Sequence, residues 1–333
     1  MGAERDRGSS AGEEEGTAPE DRRAGAAGRS LRAALRFDGA LWRRFAELGC
    51  VYGPEWWKRG SPPAIAAIVY AIARQQRAAV LANQRQVRGP RGWLRERWDA
   101  YEVFAEFARS VTESMEQWGP RARPLDVRVV GDALFQKALA EGRGLVVATG
   151  HFGSWAVAAR VLGTLGRRVH MVTAREMNES VRDLVHEQRT RHGFNVIYSD
   201  GTAFAGLPIL QALKQGDVVG MQIEPWGPVP GSHTVEFCGR PTRFQLGPFT
   251  VARLARAPIV AVFGMRLGIR RHELRVVQRF DPRTPSQSIA ALEATVKAYE
   301  DVIREQPSQW LVFHPMWTDE GAAGQRRPKT AAA

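Results

Sequence analysis

The chain has 333 residues, 44% hydrophobic and 25% charged, which suits a folded protein with a sizeable core and one or two domains. Its formal net charge of +12 comes mostly from arginine, so its surface attracts anions such as nucleic acid, anionic lipid head groups or an acidic carrier. The 2 cysteines, Cys50 and Cys238, share no metal-ligand spacing, which excludes a disulfide framework and fits a reducing compartment.

Residues 1–29 are rich in Gly, Ala, Glu and Arg and lack aromatics, so they are expected to form a disordered tail with no signal peptide. Residues 321–333 read the same way. Residues 30–120 form an N-terminal helical region. In "SLRAALRFDGALWRRFAELG" Leu31, Leu35, Leu41, Trp42, Phe45 and Leu48 recur at helical spacing, with Arg32, Arg36, Arg43 and Arg44 between them. Trp56, Trp57 and Lys58 follow. Basic residues beside Trp and Leu suit a helix lying on a membrane surface, although a helix packed on its own domain looks alike. The longest apolar run, "PPAIAAIVYAIA" at 62–73, lies between Arg59 and Arg74 and is shorter than the ~20 residues that cross a bilayer. A second helical stretch, 97–118, carries an apolar stripe of Trp98, Tyr101, Phe104, Phe107 and Val111.

Residues 121–320 read as an α/β domain. Short apolar runs at 145–149, 168–173, 194–199 and 217–223 alternate with helical stretches near 153–165, 178–192 and 204–215. Asn178 can cap the middle helix and Gly193 can end it. Such alternation predicts a mixed, mostly parallel sheet flanked by helices. Runs at 257–265 and 272–280, separated by "RLGIRR", predict a hairpin at one side of that sheet. A helix near 287–305 and the segment "QWLVFHPMW", 309–317, close the domain.

The chemistry centres on "LVVATGHFGSW". His151 falls at the carboxyl end of the 145–149 run, where sites of α/β sheets sit. Phe152, Gly153 and Ser154 then open a helix, whose first N–H groups are free and positively polarised. A histidine base beside such a nest suits acyl transfer. The base takes a proton from an acceptor hydroxyl, and the nest steadies the oxyanion. No Gly-x-Ser-x-Gly elbow supports a serine hydrolase, and the other six histidines form no metal-ligand set. No metal is expected.

These blocks resemble the bacterial lipid A late acyltransferases, the lauroyl/myristoyl type within the wider lysophospholipid acyltransferase group. The likeness runs from roughly 50 to 317. It rests on "GHFGSW", on "VTAREMNESVRDLVHEQRTRHGFNVI" with Arg175 and Asn178, on "GMQIEPW", on "VEFCGRPTRFQLGPFTVARLARAPIVAVF" and on "PSQWLVFHPMW". The resemblance implies a glycerolipid-acyltransferase-like fold and an acyl donor on acyl carrier protein or CoA. It implies a membrane glycolipid hydroxyl as acceptor, no cofactor or metal, and a peripheral place on the cytoplasmic face of the inner membrane.

One position departs from the pattern. The family has an acid five residues after the histidine, and here that residue is Ala156. An imidazole without an orienting acid can take the wrong tautomer, at a cost of orders of magnitude in rate. Glu224, which ends the 217–223 run and should share the sheet edge with His151, is the candidate substitute. Glu176 and Asp200 are weaker candidates. Arg175, Arg240 and Arg243 are candidates to hold a phosphate of donor or acceptor. Gly239 reads as a tight turn, and Phe237, Phe244 and Phe249 as core or acyl groove. Ala156 also admits a second reading, a catalytically silent relative that binds acyl donor or anionic lipid. A basic nucleic-acid binder has no motif to support it.

Overall fold

The protein is described from a computed structural model, over residues 48–154, 157, 161–162, 166–174, 194–199, 206–225 and 231–317. Seven strands make the main sheet: β1 (Asp126–Val130), β2 (Leu145–Thr149), β3 (Val169–Ala174), β4 (Phe194–Ser199), β5 (Val218–Gln222), β8 (Ile259–Gly268) and β9 (Arg271–Phe280). Their order is β1-β9-β8-β2-β5-β3-β4. The pairs β8/β2, β2/β5, β5/β3 and β3/β4 are all parallel. The expected hairpin joins β8 to β9 antiparallel, and β1 lies parallel to β9, so β1 and β9, at one side of the sheet, run against the other five.

Strand β2 is buried from Leu145 to Ala148, as a central parallel strand covered on both faces should be. Val146 and Ala148 pack on the face covered by α5 (Leu207–Lys214), α6 (Gly247–Ala255) and α7 (Pro285–Glu305). Leu145 and Val147 pack on the opposite face, with Phe135 and Ala138 of α4 (Asp132–Ala140). Helix α7 opens with a capping box in which Thr284 accepts from the Gln287 backbone and Gln287 returns a bond to the Thr284 N–H.

Three N-terminal helices, α1 (Glu55–Ile72), α2 (Arg74–Arg88) and α3 (Trp93–Trp118), form a further layer with its own core of Ala66, Val80, Ala100, Val103 and Phe104. None of the described helices is long and apolar enough to cross a membrane. The layer is tied to the β8–β9 turn by ion pairs. Arg270 bonds Glu55 and Glu116, and Arg266 bonds Glu106 and Glu113. Helix α2 also grips the closing segment: Asn83 donates to the Val312 and His314 carbonyls and accepts from the Met316 N–H.

Two more strands, β6 (Ser232–Phe237) and β7 (Arg240–Gln245), form a separate antiparallel hairpin where the sequence showed only a tight turn. Its two turn residues, Cys238 at φ 51° and Gly239 at φ 76°, are both left-handed, as a type I′ turn requires. The usual Asn-Gly signal is replaced by Cys-Gly. The left-handed Cys238 is held from both sides: its N–H donates to Glu300 and its carbonyl accepts from Gln86. Burial and the nearby Glu300 charge push its thiol up to about 12, so it stays protonated.

Candidate active site

The register of the sheet sets the site. Thr149 at the end of β2 pairs with Gln222 at the end of β5, and the Ile223 N–H donates to the Thr149 carbonyl at 2.9 Å. Two residues beyond each strand, His151 and Glu224 therefore leave the sheet at one level. Glu224 Oε2 accepts from His151 Nδ1 at 2.8 Å and from the His151 backbone N–H at 2.6 Å. The Glu224 side chain is fully buried, while that of His151 is 30% exposed. Nδ1 thus faces inward to the acid. Nε2 has no hydrogen-bond partner among the described residues.

Glu224 Oε1 is engaged as well. It accepts from the Tyr299 hydroxyl of α7 and from Trp310 Nε1 at 3.1 Å. The carboxylate is thus buried with four donors around it, an arrangement that compensates its desolvation. Burial alone would raise its pKa. The neighbouring His151 charge, the two His151 bonds and the Tyr299 bond outweigh that and hold it below the usual carboxylate range. For His151 burial works against the imidazolium, but the charge of Glu224 and its hydrogen bond prevail and raise the pKa above the ordinary histidine value. Burial and the Glu224 charge push Tyr299 far up, so its hydroxyl keeps its proton and donates. His314 is lowered by burial, partly offset by Glu224.

The loop after His151 is pinned to the closing segment. The Leu311 N–H donates to the His151 carbonyl at 2.7 Å, the Gly153 N–H to the Gln309 carbonyl at 2.9 Å, and Phe152 bridges Trp310. Gln309 in turn clamps Arg266: its side chain accepts from the Arg266 N–H and donates to the Arg266 carbonyl. The free N–H nest expected at Phe152–Gly153 is therefore corrected. The Phe152 N–H is bonded to Gly150, and that of Gly153 to Gln309. The close approach that glycine allows at 153, where φ is 57°, is taken up by the Gly264 carbonyl, only 2.0 Å from where a Cβ would sit. Ser154 is 1% exposed, and its hydroxyl has no partner among the described residues.

A family model described as bacterial lipid A biosynthesis acyltransferase matches residues 65–319. The chain belongs to that family. No curated protein matches it.

In this lipid A biosynthesis acyltransferase family member, β7 ends beside the acid. The Gln245 N–H donates to the Ile223 carbonyl, and the Gln245 side chain to the Glu224 carbonyl. Arg243 lies two residues back along β7 and is exposed; Arg240 is exposed at the hairpin tip. At about 3.4 Å per strand residue, Arg243 stands ~7 Å along the strand from Gln245 and Arg240 ~17 Å. Phe237, Phe244 and Phe249 are fully buried in the core. Arg175, Asn178, Gly193, Ala156, Glu176 and Asp200 lie outside the described residues, as does most of the stretch 153–165.

The sequence assigns no role to Tyr299, and to Trp310 only a place in the "PSQWLVFHPMW" block. Tyr299 sits in the apolar stripe Leu292, Val296, Tyr299, Ile303, which at helical spacing reads as plain core. The signal that remained was Gly150. A Cβ there would stand 2.3 Å from the Tyr299 hydroxyl, so the glycine before the histidine makes room for a polar aromatic.

Proposed function

We propose that the protein moves a fatty acyl chain from an acyl carrier protein or CoA thioester to a hydroxyl of a membrane glycolipid of the lipid A kind. His151 is the general base and Glu224 its orienting acid. The observation that carries this reading is the His151 Nδ1–Glu224 bond at the carboxyl edge of the sheet, with Nε2 left to face a substrate. In this scheme Nε2 takes the hydroxyl proton as the acceptor oxygen attacks the thioester carbonyl carbon. The tetrahedral oxyanion collapses, the C–S bond breaks, and the imidazolium returns its proton to the leaving thiolate. With the Gly153 N–H engaged, the buried Ser154 hydroxyl is our candidate donor to the oxyanion. Arg243, Arg240 and Arg175 are candidates for phosphate groups, in that order for the two that are described.

The membrane reading finds support in α1 and α3. Ile65, Ile68 and Ile72 of α1 and Trp93, Leu94 and Trp98 of α3 are exposed. The Tyr70 hydroxyl donates to the Arg97 carbonyl, which sets the end of α1 beside the start of α3. Arg74 and Arg97 lie among these apolar residues, the mixture that suits an anionic bilayer surface. We place the protein peripherally on the cytoplasmic face of the inner membrane.

The test is acyl transfer by the purified full chain in detergent, with acyl carrier protein and CoA donors, a panel of lipid acceptors, and mass spectrometry of the products. Product from the wild type that is lost in His151→Ala is the expected result. Ala156 is what favours the second reading, a silent relative. Donor binding without product from any pair would decide for it.

The pH dependence carries a sign. The base works unprotonated, so the acid limb of the rate profile should lie above the ordinary histidine value of about 6.5. Stability runs the other way. The raised His151 stabilises fully below its unfolded value and loses its contribution as pH rises through the folded one. The lowered Glu224 contributes above its unfolded value and loses it as pH falls. The pair should therefore stabilise the fold most between about pH 5 and 6.5. Thermal unfolding across pH for the wild type and Glu224→Gln checks this. Parallel curves for the two proteins would refute it.

A further inference from the structure

We propose that Tyr299 and Trp310 are positioning residues that clamp Glu224 against His151, supplying from distant parts of the chain the constraint that a carboxylate at position 156 would supply locally. The proposal rests on the acyl-transfer reading for its kinetics, and on the dyad geometry alone for its titration.

A buried carboxylate reached only by His151 would be free to turn about its last side-chain bonds. Here the second oxygen is fixed by two donors that themselves have no freedom. Tyr299 is 0% exposed, and its ring stacks on Phe263 at 4.6 Å between centroids and lies nearly parallel to Phe237 at 6.4 Å. Trp310 is 1% exposed and held edge-on by Phe237 at 5.6 Å and Trp317 at 5.9 Å. With Oε1 pinned by these two, Oε2 can only point at His151. There it meets the backbone N–H and Nδ1, which fixes the ring's orientation and leaves its proton on Nδ1. Tyrosine at 299 is otherwise a poor choice for a stripe of Leu292, Val296 and Ile303, because phenylalanine would fill the same space without burying a hydroxyl.

The two donors also spread the carboxylate charge. Without the Tyr299 bond more of that charge acts on His151, the imidazolium is held more tightly, and the base frees itself only at higher pH. Among the described residues the titratable groups acting on the pair are His151, Glu224, Tyr299 from α7, and His314 from the closing segment. His314 is untouched by the substitution, so a shift reports the clamp.

The experiment uses the full chain and three variants: Tyr299→Phe, Glu224→Gln and the double variant. Rate profiles against pH are measured for each. In parallel the His151 imidazole is titrated by NMR on histidine-labelled protein without substrate, its signal assigned with His151→Gln. Tyr299→Phe is expected to lower kcat by about 10–100-fold with KM little changed. Its acid limb and its NMR midpoint should both move up by about one pH unit. The double variant should be no slower than Glu224→Gln, because the tyrosine acts through the acid. Wild-type kcat and midpoint in Tyr299→Phe would overturn the proposal, and so would losses that multiply in the double variant. Should the wild type transfer no acyl group, the acyl-transfer reading fails and the NMR midpoint decides alone: a shift keeps the clamp, an unchanged midpoint removes it. Trp310→Phe is the companion variant. If it does not fold, Tyr299→Phe still carries the test, since phenylalanine keeps the packing.

Discussion

Glu224→Gln should cut acyl transfer by about 10³–10⁴ while leaving a folded protein, the scale seen when the acid of a Ser-His-Asp triad becomes an amide. The four donors around Glu224 explain why so small a change weighs so much. An amide offers one acceptor oxygen and one NH₂ group. If the NH₂ faces His151, it meets the backbone N–H, which stood 2.6 Å from Oε2, and forces the ring proton from Nδ1 to Nε2. If it faces the other way, it meets Trp310 Nε1, which stood 3.1 Å from Oε1. Each orientation opposes two donors, at a cost of about 1–3 kcal/mol. The first also disables the base. Single-turnover rates with a donor thioester, beside circular dichroism at the assay temperature, measure both consequences. A variant with wild-type turnover would show that Glu224 does not orient the base.

Gly153→Ala should destabilise the protein by about 3–5 kcal/mol, the sum of a left-handed backbone, overpacking and strained loop bonds. The new Cβ would stand 2.0 Å from the Gly264 carbonyl oxygen and 3.2 Å from Gln309 Oε1. The first of these is backbone within β8 and cannot swing aside. Relief would have to come from the loop itself, at the expense of Gly153 N–H to Gln309 and Leu311 N–H to His151. Gly264→Ala is the control. Its Cβ meets the end of the Leu274 side chain at 3.2 Å rather than backbone, so it should cost only about 1 kcal/mol, the low end of overpacking. Thermal melts should separate the two by roughly 10 °C. Equal melting points would mean that the loop yields freely.

The sequence reveals those elements whose burial leaves a mark in the residue pattern. The runs at 145–149 and 194–199 coincide with β2 and β4, and the 287–305 helix is extended only to Pro285. Strand β1 was not expected because DVRVV is an edge strand with an exposed, charged side. The β6–β7 hairpin hid because its turn is Cys-Gly and its strands carry Arg, Glu and Thr. At the site, the rule of strand ends puts both His151 and Glu224 on one sheet edge, where the two side chains meet. What failed was the reading of Gly153. A glycine announces a close approach, but not whether a ligand or another backbone makes it. Tyr299 and Trp310 were hidden for a related reason: an apolar stripe and an irregular segment carry no local sign of the carboxylate they hold.

That distance has a consequence for timing. Trp310 follows Glu224 by 86 residues in the chain and Tyr299 follows it by 75. Synthesis at about 5–20 residues per second puts several seconds between the acid and its holders. During those seconds the histidine and its acid already exist, while the donors that fix the acid do not. A growing chain therefore carries His151 and Glu224 before the groups that hold the acid in place. Glu224 gains its Trp310 donor only when the closing segment folds back between α2 and the His151 loop, which couples the geometry of the pair to completion of the fold.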